Sequence, residues 1–131
     1  MGALIDSSVL IGLERGSVPV ERVAEHAPAS ISVVTASELL HGVHRAADAA
    51  VRDRRLAFVE RVLARFAPLD ATTAVARVHA EIWASTVRAG TPVGAQDLWI
   101  AATALVHGLD VVTVNAKDFR RVAGLGVVDV G

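Results

Sequence analysis

The chain has 131 residues, of which 53% are hydrophobic and 21% charged, and this composition excludes an intrinsically disordered protein. The length fits one domain, so we expect residues 1–131 to form a single domain with a sizeable core. A formal net charge of −1 excludes capture of a polyanion by the overall field of the molecule, so nucleic acid would have to be held by local basic groups or by a metal.

The first half of the chain is predicted to alternate strand and helix. The apolar run 3–6 predicts a short strand, and the helical spacing that follows predicts a helix ending at Gly16. We then expect a helix at 20–26, a β-branched strand at 30–34, a helix at 35–46 and an amphipathic helix at 49–65.

The second half continues this alternation. We expect helices at about 72–88 and 95–107, with Gly108 as the C-terminal cap of the second, then a strand at 111–114, a short helix at 116–122 and a last strand at 127–128. Uniformly apolar strands that alternate with helices are typical of a parallel sheet. We therefore predict an α/β fold with a central parallel sheet of about four to five strands, flanked by helices on both faces.

The absence of cysteine excludes disulfides, thiolate nucleophiles and cysteine zinc sites. No charged and then apolar leader opens the chain, and no apolar run reaches about 18 residues, the length that spans a membrane. We expect a cytoplasmic protein that does not use a membrane.

Several acidic or amide side chains stand just after predicted strands or in the first turns of helices, and each has a local explanation. Asp6 could cap the helix after the first strand, and Thr35-Ala-Ser-Glu38 has the spacing of a capping box. Asp97, at the start of a helix that is apolar on nearly every face, could complement the helix dipole, and Asn115 to Asp118 is another cap-like spacing. Helix capping alone therefore accounts for each of them separately.

These local explanations do not account for the acids following strands that end at one edge of a parallel sheet, where ligands bind in such folds. Carboxylates brought within a few Å of one another cannot all stay ionised without a counter-charge, and a hard divalent cation with oxygen ligands supplies it. Mg²⁺ or Mn²⁺ fits, because it both holds a phosphate oxygen and lowers the pKa of an attacking water. The pattern favours hydrolysis of a phosphodiester.

The chain resembles the PIN-domain ribonucleases and, among them, the VapC-type toxins of bacterial toxin–antitoxin pairs. The stretches that carry the resemblance are LIDSSVLIGLERG, TASELLHGVHRA, AQDLWIAATALVHG and VVTVNAKDFRRV. They occur in the family's order and rough spacing over nearly the whole chain, which implies a PIN-like domain and a metal-dependent endoribonuclease.

The resemblance implies a role for each candidate catalytic residue. Asp6 and Asp97 would bind the metal directly, and Glu38 would act through water or at a second metal. Many relatives carry an Asp where this chain has Asn115, so the fourth acidic role either falls to Asp118 or is absent, and one-metal and two-metal chemistry both stay open.

The resemblance also implies partners. The substrate would be a tRNA, rRNA or mRNA, cut to leave a 5′-phosphate and a 3′-hydroxyl. We expect a homodimer and a cognate VapB-type antitoxin, whose extended tail would cover an apolar groove and place a basic side chain in the acidic pocket. The alternative is a catalytically silent PIN-like module that binds RNA or a protein.

Other side-chain groups have competing interpretations. Glu38, His41 and His44 have the spacing of half a di-iron site, but a second Glu-x-x-His is missing, so we expect these histidines at a helix surface. Trp83 and Trp99 are expected in the core or at a dimer interface. The basic clusters are either solvated faces or, for the second one, contacts to RNA phosphates; they are Arg52, Arg54 and Arg55, and Lys117, Arg120 and Arg121.

Overall fold

The protein is described from a computed structural model that covers residues 2–131. The strands of this range are β1 (Ala3–Ile5), β2 (Ala29–Ser30), β3 (Asp110–Thr113) and β4 (Val127–Asp129). The helices are α1 (Ser7–Arg15), α2 (Val20–Ala24), α3 (Val33–Arg45), α4 (Ala49–Arg65), α5 (Thr73–Arg88), α6 (Ala95–His107) and α7 (Ala116–Phe119). No helix in the described range is both long and apolar enough to cross a bilayer.

The strands form one parallel sheet in the order β2-β1-β3-β4. Leu4 of β1 pairs with Ser30 on one side and Val111 on the other, and Val112 of β3 pairs with Val128. The sheet has four strands, which confirms the α/β class and the parallel sheet predicted from the alternating pattern.

The sheet is covered by helices on both faces because successive strand residues point to opposite sides. Ile5 packs with residues of α1, α3 and α4 in one core cluster. Leu4, its neighbour in the strand, packs with residues of α6 and α7 in the other. Both clusters contain strand residues that are fully buried, which is why the strands are apolar along their whole length.

The prediction for 30–34 was wrong. The strand β2 stops at Ser30, and the helix α3 begins at Val33, two residues before its predicted start. Ser32 is the N-cap, and its hydroxyl oxygen accepts a hydrogen bond of 3.1 Å from the backbone N–H of Thr35. This cap displaces the predicted capping box, and it places Glu38 in the second turn of the helix rather than the first.

Most other bounds agree with the sequence pattern. The helix α4 covers the predicted residues, and so does α6, which ends at Gly108 with a left-handed φ of 65°. The short helix α7 ends at Phe119 instead of residue 122.

A buried and an exposed leucine give a matched test of the fold. Leu4→Ala should lower the free energy of unfolding by about 2–5 kcal/mol, because it leaves a cavity at a residue with no exposure. Leu56→Ala, at a side chain 40% exposed on α4, should cost less than about 1 kcal/mol. Urea denaturation of the two variants measures both, and equal losses would contradict the described packing.

Candidate active site

Topology brings the candidate acids to the carboxyl edge of the sheet. Asp6 follows β1 directly, and the β3 strand ends beside it because Ile5 pairs with Val112. The helix α6 leads into β3 through a two-residue connection, so it packs back along the sheet and its first turn, with Asp97, lies at the same edge. The end of a short parallel sheet thus collects side chains that are far apart in the sequence.

Asp6 is buried, with 4% of its surface exposed, and two hydroxyl groups hold its carboxylate. The Ser8 hydroxyl donates to Asp6 Oδ2 at 2.7 Å, and the Thr113 hydroxyl donates to the same oxygen at 2.9 Å. Asp6 occupies the N-cap position of α1 but makes no side-chain cap hydrogen bond. The capping explanation for Asp6 was therefore wrong, and both hydrogen bonds leave Oδ1 for another ligand.

The two hydroxyls are themselves fixed by the backbone. Each has a single proton, which it gives to Asp6, so its oxygen accepts from elsewhere. Ser8 Oγ accepts from the N–H of Val114 at 3.2 Å, and Thr113 Oγ1 accepts from the N–H of Asn115 at 2.9 Å. Neither residue was among the predicted site residues, although a serine two positions after Asp6 and a threonine at the end of a buried strand were visible signals.

Glu38 is half-buried beside the other acids. Its pKa is raised from 4.5 to about 7, first by burial and then by the negative charges of Asp6 and Asp97, while a hydrogen bond from Ser7 opposes the rise. One of its carboxylate oxygens, Oε1, is buried without a hydrogen-bond partner. A buried acceptor left unsatisfied is unusual, and a cation or a protein donor would stabilise it.

Asp97 lies in the first turn of α6, and its pKa is raised from 3.8 to about 6. Burial is the largest cause, followed by the charges of Asp6 and Asp118. A carboxylate that served mainly to complement the helix dipole would have a lowered pKa. The repulsion and burial therefore outweigh the dipole, and the local explanation for Asp97 is insufficient.

A fourth carboxylate, that of Asp118, lies near Asp97. Asp118 is partly exposed and close enough to raise the pKa of Asp97 by its charge. Its Oδ1 lies 3.4 Å from Nη1 of Arg121, and that nitrogen also donates to the carbonyl of Pro92 at 2.8 Å. Asn115 is exposed at the N-cap of α7, where its side chain makes no cap hydrogen bond.

The acidic group, defined as Asp6, Glu38, Asp97 and Asp118, fits a hard divalent cation. All its donors are carboxylate oxygens, and the unpartnered Oε1 of Glu38 lies among them. Within residues 2–131 no three such side chains come together closely enough to enclose a metal on their own. Mg²⁺ needs only one or two carboxylates and keeps several waters, so a partial set of this kind suits it.

Other candidate residues lie away from this group. His41 and His44 are exposed on α3, as expected, and no metal-binding cluster forms with Glu38 in the described range. Trp83 is 57% exposed on α5, so of its two expected places, the core and a dimer interface, the core is excluded. Trp99 is partly buried, and its ring stacks on His79 with the centroids 3.8 Å apart.

Comparison with known proteins gives the same family throughout. The PIN domain family matches residues 3–125. Ribonuclease VapC1 of Rickettsia felis is 38% identical over 130 residues, which cover 99% of this chain and 97% of that protein. The tRNA(fMet)-specific endonuclease VapC of Salmonella typhimurium is 38% identical over 99 residues, covering 76% of this chain and 73% of the relative.

The solved structures agree with the sequence relatives. A chain in the crystal structure of DNA-bound VapBC from Salmonella typhimurium superposes with a TM-score of 0.88 and 32% identity, covering 100% of this chain and 99% of the other. These matches confirm the resemblance noted in the sequence. The chain belongs to the PIN-domain family and, within it, to the VapC type.

Proposed function

We propose that the protein is the toxin of a VapBC pair, an endoribonuclease that depends on Mg²⁺ or Mn²⁺. The observation that carries this proposal is the gathering of Asp6, Glu38 and Asp97 at the carboxyl edge of the sheet. Burial first, and the charges of neighbouring acids second, raise the pKa of Glu38 to about 7 and that of Asp97 to about 6 there. The names of the relatives, ribonuclease and endonuclease, supply the substrate class.

Each residue then has a distinct task. Asp6 and Asp97 would hold the cation, which when bound supplies charge neutralisation at the phosphate and a lowered pKa for an attacking water. Glu38 would orient that water through its unpartnered oxygen and accept its proton, a role that a carboxylate with a pKa near neutrality performs well. Asp118 would complete the acidic group, and Asn115, exposed beside it, would contact the substrate.

The proposed substrate is a tRNA, rRNA or mRNA, and we place the protein in the cytoplasm with these RNAs. Of the second basic cluster, Arg121 is already used by Asp118 and Pro92, whereas Lys117 and Arg120 are exposed beside the acidic group. Those two side chains are the ones available to bind phosphates next to it.

We propose that the VapB-type antitoxin binds an apolar groove between α1, α2 and α4. The groove has a volume of about 540 Å³, with Leu10, Val23 and Val62 among its lining residues and Arg61 and Arg65 also present. An extended segment with apolar side chains and a few acidic ones complements this surface. The solved relatives include VapBC complexes, which supports a partner of this class.

We also propose a homodimer formed through α5. This helix exposes Ala76, Ala80, Trp83 and Val87, which share one face at helical spacing. A large exposed tryptophan within such an apolar stripe is typical of a subunit interface.

The metal assignment is tested by Asp97→Asn. The variant should keep its fold and lose RNA cleavage by ~100-fold or more in Mg²⁺, because it removes a direct ligand. Asp70→Asn, at an exposed loop residue, is the matched control. Undiminished cleavage by purified Asp97→Asn would contradict the assignment, and no cation binding by the unsubstituted protein would favour the silent binding module.

The hydroxyl support of Asp6 is tested by Thr113→Val. The variant keeps the shape of the side chain but removes a donor to Asp6, so cleavage should fall by roughly 10–100-fold. Leaving the N–H of Asn115 without its acceptor should cost about 1–2 kcal/mol of stability. Thr86→Val, at a buried threonine that bonds only within α5, should cleave normally, and equal activity in both variants would count against this role.

The raised pKa values predict a pH dependence of stability. Glu38 and Asp97 bind protons more tightly in the folded chain than at their ordinary pKa values of 4.5 and 3.8. The free energy of unfolding should therefore fall as the pH rises from about 4 to about 7 in EDTA. Glu38→Gln should remove about 1–2 kcal/mol of this fall, a value reduced for the solvent screening of a half-exposed group.

Thermal unfolding in EDTA and in Mg²⁺ measures this effect. At pH 8 about 10 mM Mg²⁺ should raise the Tm of the unsubstituted protein more than that of Glu38→Gln. The matched control is Glu60→Gln, at an exposed residue of α4. A Tm that does not change with Mg²⁺ would argue against a cation at the acidic group.

A further inference from the structure

Two adjoining cavities lie near the acidic group, one between α1, α3 and α4 and the other between α1 and α4. The smaller, about 80 Å³, includes Glu38 in its wall, and the larger, about 690 Å³, continues from it along α4. They share Glu14, Arg15, Arg55 and Phe58. We name this surface the basic furrow, after its arginines Arg15, Arg45, Arg54, Arg55 and Arg61.

The charge of the basic furrow is unbalanced. Its five arginines face two carboxylates, Glu14 and Glu38. In the part of the chain that the structure describes, the one ion pair is that of Arg121 with Asp118, so the furrow arginines are not neutralised by contact with an acid. Unpaired guanidinium groups around a concave surface are suited to an anionic ligand.

One furrow arginine is held by a hydrogen bond, and a second lies near an aromatic ring. Arg55 donates from Nη1 to the carbonyl oxygen of Gly42 at 3.1 Å, which ties α4 to the helix that carries Glu38. The guanidinium carbon of Arg61 lies 6.0 Å from the centroid of the Phe58 ring. Fixed guanidinium groups bind a phosphate with less loss of side-chain entropy than free ones.

A local explanation exists for part of this charge. Arg15 and Arg45 lie in the last turns of α1 and α3, where a cation complements the helix dipole. This does not account for Arg54 and Arg55, which lie in the first half of α4 and line the same cavities. The convergence of three helices' arginines next to Glu38 is a property of the tertiary structure.

We propose that the basic furrow binds backbone phosphates of the RNA strand on one side of the scissile bond. This inference rests on the proposed ribonuclease function. A strand whose reacting phosphate lies at the acidic group extends to either side of it, and the acidic group by itself repels the neighbouring phosphates. The basic furrow begins at Glu38 and offers the opposite charge, and this continuity favours RNA over an acidic protein segment as its occupant.

The test uses exposed arginines, so that the fold is not at risk. The Arg15→Gln, Arg54→Gln double variant should raise the KM for a single-stranded oligoribonucleotide roughly tenfold or more at low salt, with little change in kcat. Two lost phosphate contacts should also lower the slope of log Kd against log salt by about 1.4. Replacing both residues by lysine should restore most of the affinity, because phosphate contacts need the charge.

The binding half of the test is independent of cleavage. Fluorescence anisotropy with a fluorescein-labelled oligoribonucleotide is measured in the Asp97→Asn background, and the control is Arg77→Gln, Arg88→Gln on α5. If the unsubstituted protein does not cleave RNA but the furrow variant loses affinity, the proposed function fails. The placement beside a scissile bond then fails with it, whereas the basic furrow stands as a surface that binds RNA phosphates. An unchanged KM and salt slope would overturn the furrow proposal. The proposal would also be overturned if the furrow variant lost binding to a polyglutamate peptide but kept its affinity for RNA.

Discussion

The hydrogen bonds that Ser8 and Thr113 donate to Asp6 hold the one charged side chain that is buried in the described part of the chain. A carboxylate without partners at that place would be costly, since burial disfavours the charged form. The two hydroxyls join the end of β1 to the end of β3, and backbone N–H groups of the following turn fix them in turn. The acidic group depends on this small network, because the charge of Asp6 is felt by both Glu38 and Asp97.

The acidic group is therefore a compromise between packing and electrostatics. The hydrophobic clusters on both faces of the sheet force its carboxyl edge together, and the acids at that edge repel one another. In the absence of a counter-charge, burial and this repulsion together lower stability at neutral pH and raise the pKa of Glu38 to about 7. The same arrangement makes cation binding favourable, because a bound cation would neutralise the repulsion between the carboxylates.

The two surfaces near the acidic group differ in chemistry and therefore suit different proposed partners. The basic furrow suits phosphates, and the apolar groove suits a protein segment. Phe58 and Arg61 line both, so an occupant of one surface changes the side chains available to the other. This shared boundary gives a physical route by which a bound antitoxin would weaken RNA binding without reaching the acidic group.

The α/β class and the ends of α4 and α6 follow from local sequence patterns, because buried strands and amphipathic helices have distinct periods and Gly108 is a strong helix terminator. The sequence also indicated the candidate acids. Asp6 directly follows a predicted strand, and the carboxyl ends of parallel strands lie at one edge of the sheet. The sequence did not predict the short β2, because the local preference of Val33 and Val34 for a strand was outweighed by the Ser32 cap.

Long-range packing sets which side chains support Asp6 and which arginines surround Glu38. Thr113 is 107 residues from Asp6, and Arg15, Arg45 and Arg55 come from three different helices, so no local pattern records these contacts. The pKa values of Glu38 and Asp97 are set in the same way, by burial and by charges from distant parts of the chain. Spacing along the sequence identifies residues able to do chemistry, whereas packing fixes their distances and their protonation.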